Sequence, residues 1–186
     1  NELTYRTFFE TARDGAFVTG LDGAIIDCNQ GFWELFGYNS KSEIQKVNVS
    51  NLYLDPNDRL KFGDELIKKE FVAHIALVGT KSDGSIIYVM VTSAVRKDKN
   101  DKVIGFLGTI TDITEKKKIE RQNKEIQANL LAQIENTSDY IWSVDTNYCI
   151  KTINSNFQKE FQNTFGVTLK VGDKIISQLP KALKTT

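Results

Sequence analysis

The chain holds a single histidine, His74, and two cysteines, Cys28 and Cys149, and these limit the chemistry open to it. His74 falls within an apolar run, residues 71–79, that reads as a β-strand, where histidine is an ordinary sheet-face side chain. With one histidine so placed no Ser-His-Asp set can form, and neither a glycine-rich phosphate loop nor a Gly-x-Ser-x-Gly elbow occurs. The cysteines are far apart and lack metal-ligand spacing, which argues against a zinc site or disulfide framework and leaves them as core or half-buried thiols. Asp22, Asp83 and Asp112 stand in turns and at a helix start, positions where carboxylates accept local backbone hydrogen bonds. No catalytic residue and no metal ligand is expected, so the segment is not read as an enzyme.

Composition excludes further classes. Hydrophobic residues make up 40% and charged residues 26%, at a formal net charge of +0, so there is no electrostatic footprint for nucleic acid. The basic clusters at Lys116-Lys117-Lys118 and at residues 181–184 are short and read as a solvated helix face and a frayed tail. No run is long enough to span a bilayer and no signal-peptide pattern opens the chain, so a reducing cytoplasmic setting without direct membrane contact is expected.

The positioning elements follow from periodicity. Leu3, Tyr5, Phe8, Phe9 and Ala12 form an apolar stripe that predicts an amphipathic helix in residues 1–14. Strand-like runs at 16–19 and 24–27 flank Leu21-Asp22-Gly23, a hairpin signal. Asn29 then caps a helix carrying Phe32 and Phe36 that Gly37 ends, and Asp55-Pro56 marks a turn or start before a further helix over 59–70. Three longer strands, 71–79, 86–95 and 102–110, join through Asp83-Gly84 and Asn100-Asp101. The first of them is apolar on both alternating sets, so both sheet faces should be covered there, with the N-terminal helix as the lid. The tally is an α+β unit over residues 15–114: a five-stranded antiparallel sheet with short helices on one face.

A long helix without Gly or Pro follows over 115–138, with Asp112 or Thr111 at its start. Ile119, Ile126 and Leu130 recur at spacings of seven and four, with Asn123 and Gln133 at the other positions of the same repeat, which makes a narrow seam suited to a weak coiled coil; a single helix lying on its own domain is the alternative. Beyond it, residues 139–186 repeat the beginning of the first unit: Val144-Asp145 lies over Leu21-Asp22, and Asn154, Phe157 and Phe161 keep the spacing of Asn29, Phe32 and Phe36. The second copy lacks counterparts of the later strands, so the chain reads as a fragment of a longer protein.

These motifs together resemble the PAS domain family: the Leu21-Asp22-Gly23 hairpin, Asn29-x-x-Phe32 with Phe36-Gly37-Tyr38, Lys81-Ser82-Asp83-Gly84-Ser85, and Gly105-Phe106-Leu107-Gly108 leading into Asp112-Ile113-Thr114-Glu115. The resemblance covers residues 1 to about 118, and residues 139–186 look like the first half of a second PAS unit, as in tandem sensor regions of bacterial-type histidine kinases. It implies that the last strand lies between the first and the fourth. It also implies a sensory module that relays a ligand or partner signal to a downstream output domain. A ligand would lie between the sheet face of Ile75 and Leu77 and the helices of Phe32, Phe36 and Leu52. Asp112, Ile113, Thr114, Ile119, Ile126 and Leu130 would carry the relay, with homodimerisation through the connector and N-terminal helices. The cofactor stays unknown. Flavin photosensors of the family carry an Asn-Cys-Arg-Phe motif where this chain has Val47-Asn48-Val49-Ser50-Asn51, and haem-binding relatives carry a histidine on the helix before the third strand. Two rival readings remain beside the sensor: a ligand-free dimerisation and relay scaffold, and, more weakly, a small-molecule enzyme.

Overall fold

In the computed structural model, which describes residues 2–179 apart from the side chains of Glu2, Leu3, Tyr5 and Phe8, the chain divides into two units between Ile119 and Glu120. The first opens with helix α1 (Glu2–Thr11); the predicted apolar stripe falls largely on undescribed side chains, but Phe9 is buried. Strands β1 (Gly15–Gly20) and β2 (Ile25–Cys28) pair antiparallel around Asp22-Gly23, where Gly20 N–H donates to Ala24 O over 2.9 Å. Helices α2 (Gln30–Leu35) and α3 (Lys41–Ile44), a 3-10 turn (Val49–Leu52) and helix α4 (Pro56–Lys69) fill the middle. Each starts on a side-chain cap, from Asn29, Ser40, Asn48 and Asp55 in turn, and Pro56 takes the first helical position of α4, where a missing N–H costs nothing.

Strands β3 (Phe71–Thr80), β4 (Ile86–Lys97) and β5 (Val103–Asp112) complete an antiparallel sheet of order β2-β1-β5-β4-β3, so the last strand is central, between the first and the fourth. Phe17, Phe106, Ile110, Val89 and Val91 face inward and pack against Phe32, Phe36, Leu52, Phe62 and Leu66 to form one core.

The expectation that both faces of β3 are covered is corrected. His74 adopts a left-handed φ of 56°, and the register jumps from Val72↔Ser93 to Ile75↔Val91, one residue more on β3 than on β4. This bulge resets the alternation. Val72 turns inward with Ile75 and Leu77, not outward with His74 and Ala76, while Phe71 at 56% exposure, Ala73, His74 and Ala76 face solvent. Helix α1 therefore does not lid this strand; its Phe9 O accepts instead from Asn29, which follows β2 at the opposite edge of the sheet.

Helix α5 (Thr114–Asn136) follows β5 directly, and Asp112 Oδ1 accepts the N–H of Thr114 over 2.8 Å. The second unit carries hairpin β6 (Trp142–Val144) and β7 (Ile150–Ile153), helix α6 (Ser155–Phe165) and the short α7 (Ile175–Gln178), packed on Ile150, Phe161 and Leu169. Its wiring repeats the first. Asn29 Oδ1 accepts from Ala16 N–H (2.7 Å) and Phe32 N–H (3.0 Å), and its Nδ2 donates to Asp14 O and Phe9 O, both at 3.0 Å. Asn154 does the same with Ile141 and Phe157 N–H and with Asp139 and Ile134 O, at identical sequence separations.

That wiring also corrects the register of the repeat in the turn. Asp145 N–H bonds Cys149 O as Gly20 N–H bonds Ala24 O, so Val144-Asp145 lies over Thr19-Gly20 rather than Leu21-Asp22. Tyr148, at φ 61°, occupies the place of Gly23, at φ 84°.

Replacing Asn29 by Ala removes a cap and strands buried backbone groups on three segments, which should cost at least about 3 kcal/mol. Urea unfolding followed by Trp33 fluorescence in a Trp142→Phe background should show this loss. Asn154→Ala, read through Trp142 in a Trp33→Phe background, should lower the second unit's midpoint and leave that of the first.

Candidate functional site

Between the inner sheet face and the helices lies a cavity of ≈ 40 Å³. Of the pocket residues expected from the sequence, Phe32, Phe36, Leu52 and Leu77 line it; Ile75 does not, although it packs against the same core. The reason is where β3 reaches the cavity. The 3-10 turn bridges to the strand through Tyr53↔Gly79, so the cavity wall is Leu77-Val78-Gly79 and Ile75 sits further back. Gly79 permits that approach, since a Cβ there would lie 2.7 Å from Leu52 O and 3.3 Å from Phe36 Cε1. Phe32 connects the walls as an aromatic bridge, with ring centroids 5.6 Å from Phe17 and 5.3 Å from Phe36.

Sequence reading missed the polar members of the lining: Thr19 on β1, Tyr53 after the 3-10 turn, and Arg59 on α4. Arg59 is 8% exposed, and its Cζ sits 5.0 Å from the centroid of the Phe106 ring. The signal was available in α4, whose buried positions Arg59, Phe62, Gly63 and Leu66 follow i, i+3, i+4, i+7, so the arginine occupies the apolar stripe. Burial pushes the Tyr53 phenol up to about 12, against the pull of Arg59 in the other direction, so it is a hydrogen-bond donor at neutral pH.

The residues expected to relay a signal fall in two groups. Asp112, Ile113 and Thr114 join α5 to the sheet: Ile113 is buried, its N–H donates to Tyr88 O over 2.8 Å, and Thr114 Oγ1 accepts from Tyr88 N–H over 3.0 Å. Tyr88 is followed by Val89, a lining residue of the cavity. By contrast Ile119, Ile126 and Leu130 are 49%, 64% and 55% exposed, and Leu131, absent from the predicted seam, is exposed beside them. Cys28 is fully buried, and that burial pushes its thiol up to about 11; Cys149 is half-buried.

A PAS domain family profile matches residues 13–115. Among solved structures, the PAS domain of a protein from Colwellia psychrerythraea is similar at 28% identity, with a TM-score of 0.54 over 62% of this chain and 99% of that one. The PAS domain of a LuxR-family transcriptional regulator from Burkholderia thailandensis, solved in complex with ethanol, shares the fold at 19% identity, TM-score 0.50, over 59% of this chain and 96% of that one. A domain of a sensory box sensor histidine kinase/response regulator from Geobacter sulfurreducens shares it at 18%, TM-score 0.50, over 60% and 93%. Among curated proteins none matches the chain.

The two thiols should differ sharply. At pH 8 iodoacetamide should label Cys149 in the folded chain and Cys28 only in urea, as peptide mapping would report. Because the folded value of Cys28 lies above its ordinary 9.0, its contribution to stability is intact below pH 9 and is lost as pH rises towards 11, so urea midpoints should fall across that interval.

Proposed function

The chain belongs to the PAS domain family, and on that premise we propose that it is a cytoplasmic sensory and signal-transduction module. Its cavity takes a small molecule, and α5 passes the consequence to a downstream output domain, a histidine kinase. The observation that carries this reading is the adjacency along β4: Val89 lines the cavity while Tyr88, the residue before it, holds the first turn of α5 through Ile113 and Thr114. A ligand that moves β4 acts on the helix start without an intermediary. The ethanol bound by the Burkholderia thailandensis relative supports a small occupant, and the Geobacter sulfurreducens relative supports the kinase context.

Relay then needs a partner for α5. Ile119, Ile126 and Leu130 form an apolar seam that the chain itself leaves open to water, which favours pairing with the same helix of a second copy; α1 is the second proposed contact. A seam interrupted by Asn123 and Gln133 is weak, and a weak seam can change packing for a few kcal/mol of input. The ligand-free scaffold keeps one observation in its favour. The cavity is small, ≈ 40 Å³, and the rings of Phe32 and Phe36 stand in its wall with centroids 5.3 Å apart.

Native mass spectrometry of the purified chain separates the two, since a retained small molecule supports the sensor and a bare mass supports the scaffold. The relay is tested in the signalling protein that carries the segment. One residue inserted after Gln127 rotates the downstream seam by about 100 degrees, whereas seven restore it nearly in phase. Regulated output should be locked or lost with the first and kept with the second; equal behaviour of the two rules out register as the signal.

A further inference from the structure

A charge is rarely buried without a partner, and Arg59 is an exception that faces the cavity. Its residue is 8% exposed, it lines the cavity, and its guanidinium lies over the ring of Phe106, another lining residue. No carboxylate stands within ion-pair distance of it among the described residues. The adjacent Asp58 is engaged by Lys61 at 3.3 Å instead. Space for the group is reserved by Gly63, where a Cβ would come within 2.8 Å of Arg59 Nη1. A cation–π contact with Phe106 covers one side of the guanidinium, and its N–H groups have no protein hydrogen-bond partner among the described residues.

We propose that the ligand of this cavity is a small monocarboxylate, of acetate to propionate size, held by Arg59. The inference rests on the sensory reading and adds the chemical class of the signal. A guanidinium presents parallel N–H donors that match the two oxygens of a carboxylate, and it makes that contact best where water is excluded. Charge also limits the choice. One cation balances one negative charge, and the remaining polar side chains of the lining, Thr19 and Tyr53, are too few to serve the oxygens of a phosphate dianion. Size points the same way, since a water needs roughly 10 to 15 Å³ by this measure, so ≈ 40 Å³ takes about three water-sized groups. The rest of the wall, including Phe36, Leu52, Val89 and Val91, suits a short hydrocarbon tail.

The test is an NMR titration of the ¹⁵N-labelled chain with acetate and propionate, against their neutral isosteres acetamide and propionamide, at constant ionic strength in sodium chloride. The carboxylates should give saturable shifts at Val89, Phe106 and the Arg59 Nε–H, and the amides should give none. Arg59→Gln should weaken the carboxylates by roughly tenfold or more, and Arg59→Lys by less. If Arg59→Gln does not fold, the contrast between carboxylate and amide in the unaltered chain decides alone. Equal binding of amide and carboxylate, undiminished carboxylate binding by Arg59→Gln, or displacement by chloride at equal concentration would each overturn the carboxylate and leave a sensory cavity. Absence of binding by all four probes overturns it too, and the sensory reading falls with it only if native mass spectrometry also finds the chain bare.

Discussion

A buried primary amide offers two donors and one oxygen with two lone pairs, and it is stable inside a protein only when nearly all of them are used. Asn29 uses them on the backbone of three separate segments: α1 with the residues that follow it, the start of β1 and the first turn of α2. No salt bridge or isolated hydrophobic contact could do this, because neither fixes three main-chain directions at one point. The inner helices are placed against the sheet from here, since α2 carries Phe32 and its cap carries the entry of β1. That Asn154 repeats these four bonds at the same separations means the second unit reproduces this junction, not merely a similar pattern of apolar residues.

The position of β5 has the next largest consequence. A strand that is last in sequence but central in the sheet pairs with β1 along one edge and β4 along the other, so whatever follows it leaves from the middle of the sheet. Helix α5 inherits that placement, and Tyr88 closes it by exchanging hydrogen bonds with Ile113 and Thr114. The helix start is thus fixed to the strand that forms a wall of the cavity. Among its described residues α5 buries none, so its conformation is set by its own backbone and by this junction.

Features written in local chemistry were legible in the sequence: the Asp-Gly turns, the asparagine caps and the period-two strands. What was hidden depends on a single backbone angle or on a partner distant in the chain. Nothing about His74 announces a positive φ, yet its bulge reverses which residues of β3 face inward, and the expected cover over that strand followed from the unshifted alternation. Matching Val144-Asp145 to Leu21-Asp22 went astray because a turn aspartate was paired with a turn aspartate; the hydrogen bonds pair it with Gly20. Ile75 was placed at the pocket by alternation, but the cavity's reach along β3 is set by the Tyr53 bridge. Arg59 was passed over because a charged residue in a charged helix looks like surface, although its spacing to Phe62 and Leu66 puts it on the buried stripe.

The size of the cavity constrains how the proposed relay can work. A very small ligand binds with at most about 1.5 kcal/mol per non-hydrogen atom, so one of four such atoms has roughly 6 kcal/mol available before any is lost to binding both states. Driving a two-state element from 1:99 to 99:1 takes about 5.5 kcal/mol of differential affinity, nearly the whole of that ceiling. A small ligand can therefore command only an element whose two arrangements are already close in free energy. A long uninterrupted leucine seam would be beyond its reach. On the proposed reading, the polar residues Asn123 and Gln133 in the seam of α5 are what bring the two packings close enough, at some cost in dimer stability, for so small a signal to decide between them.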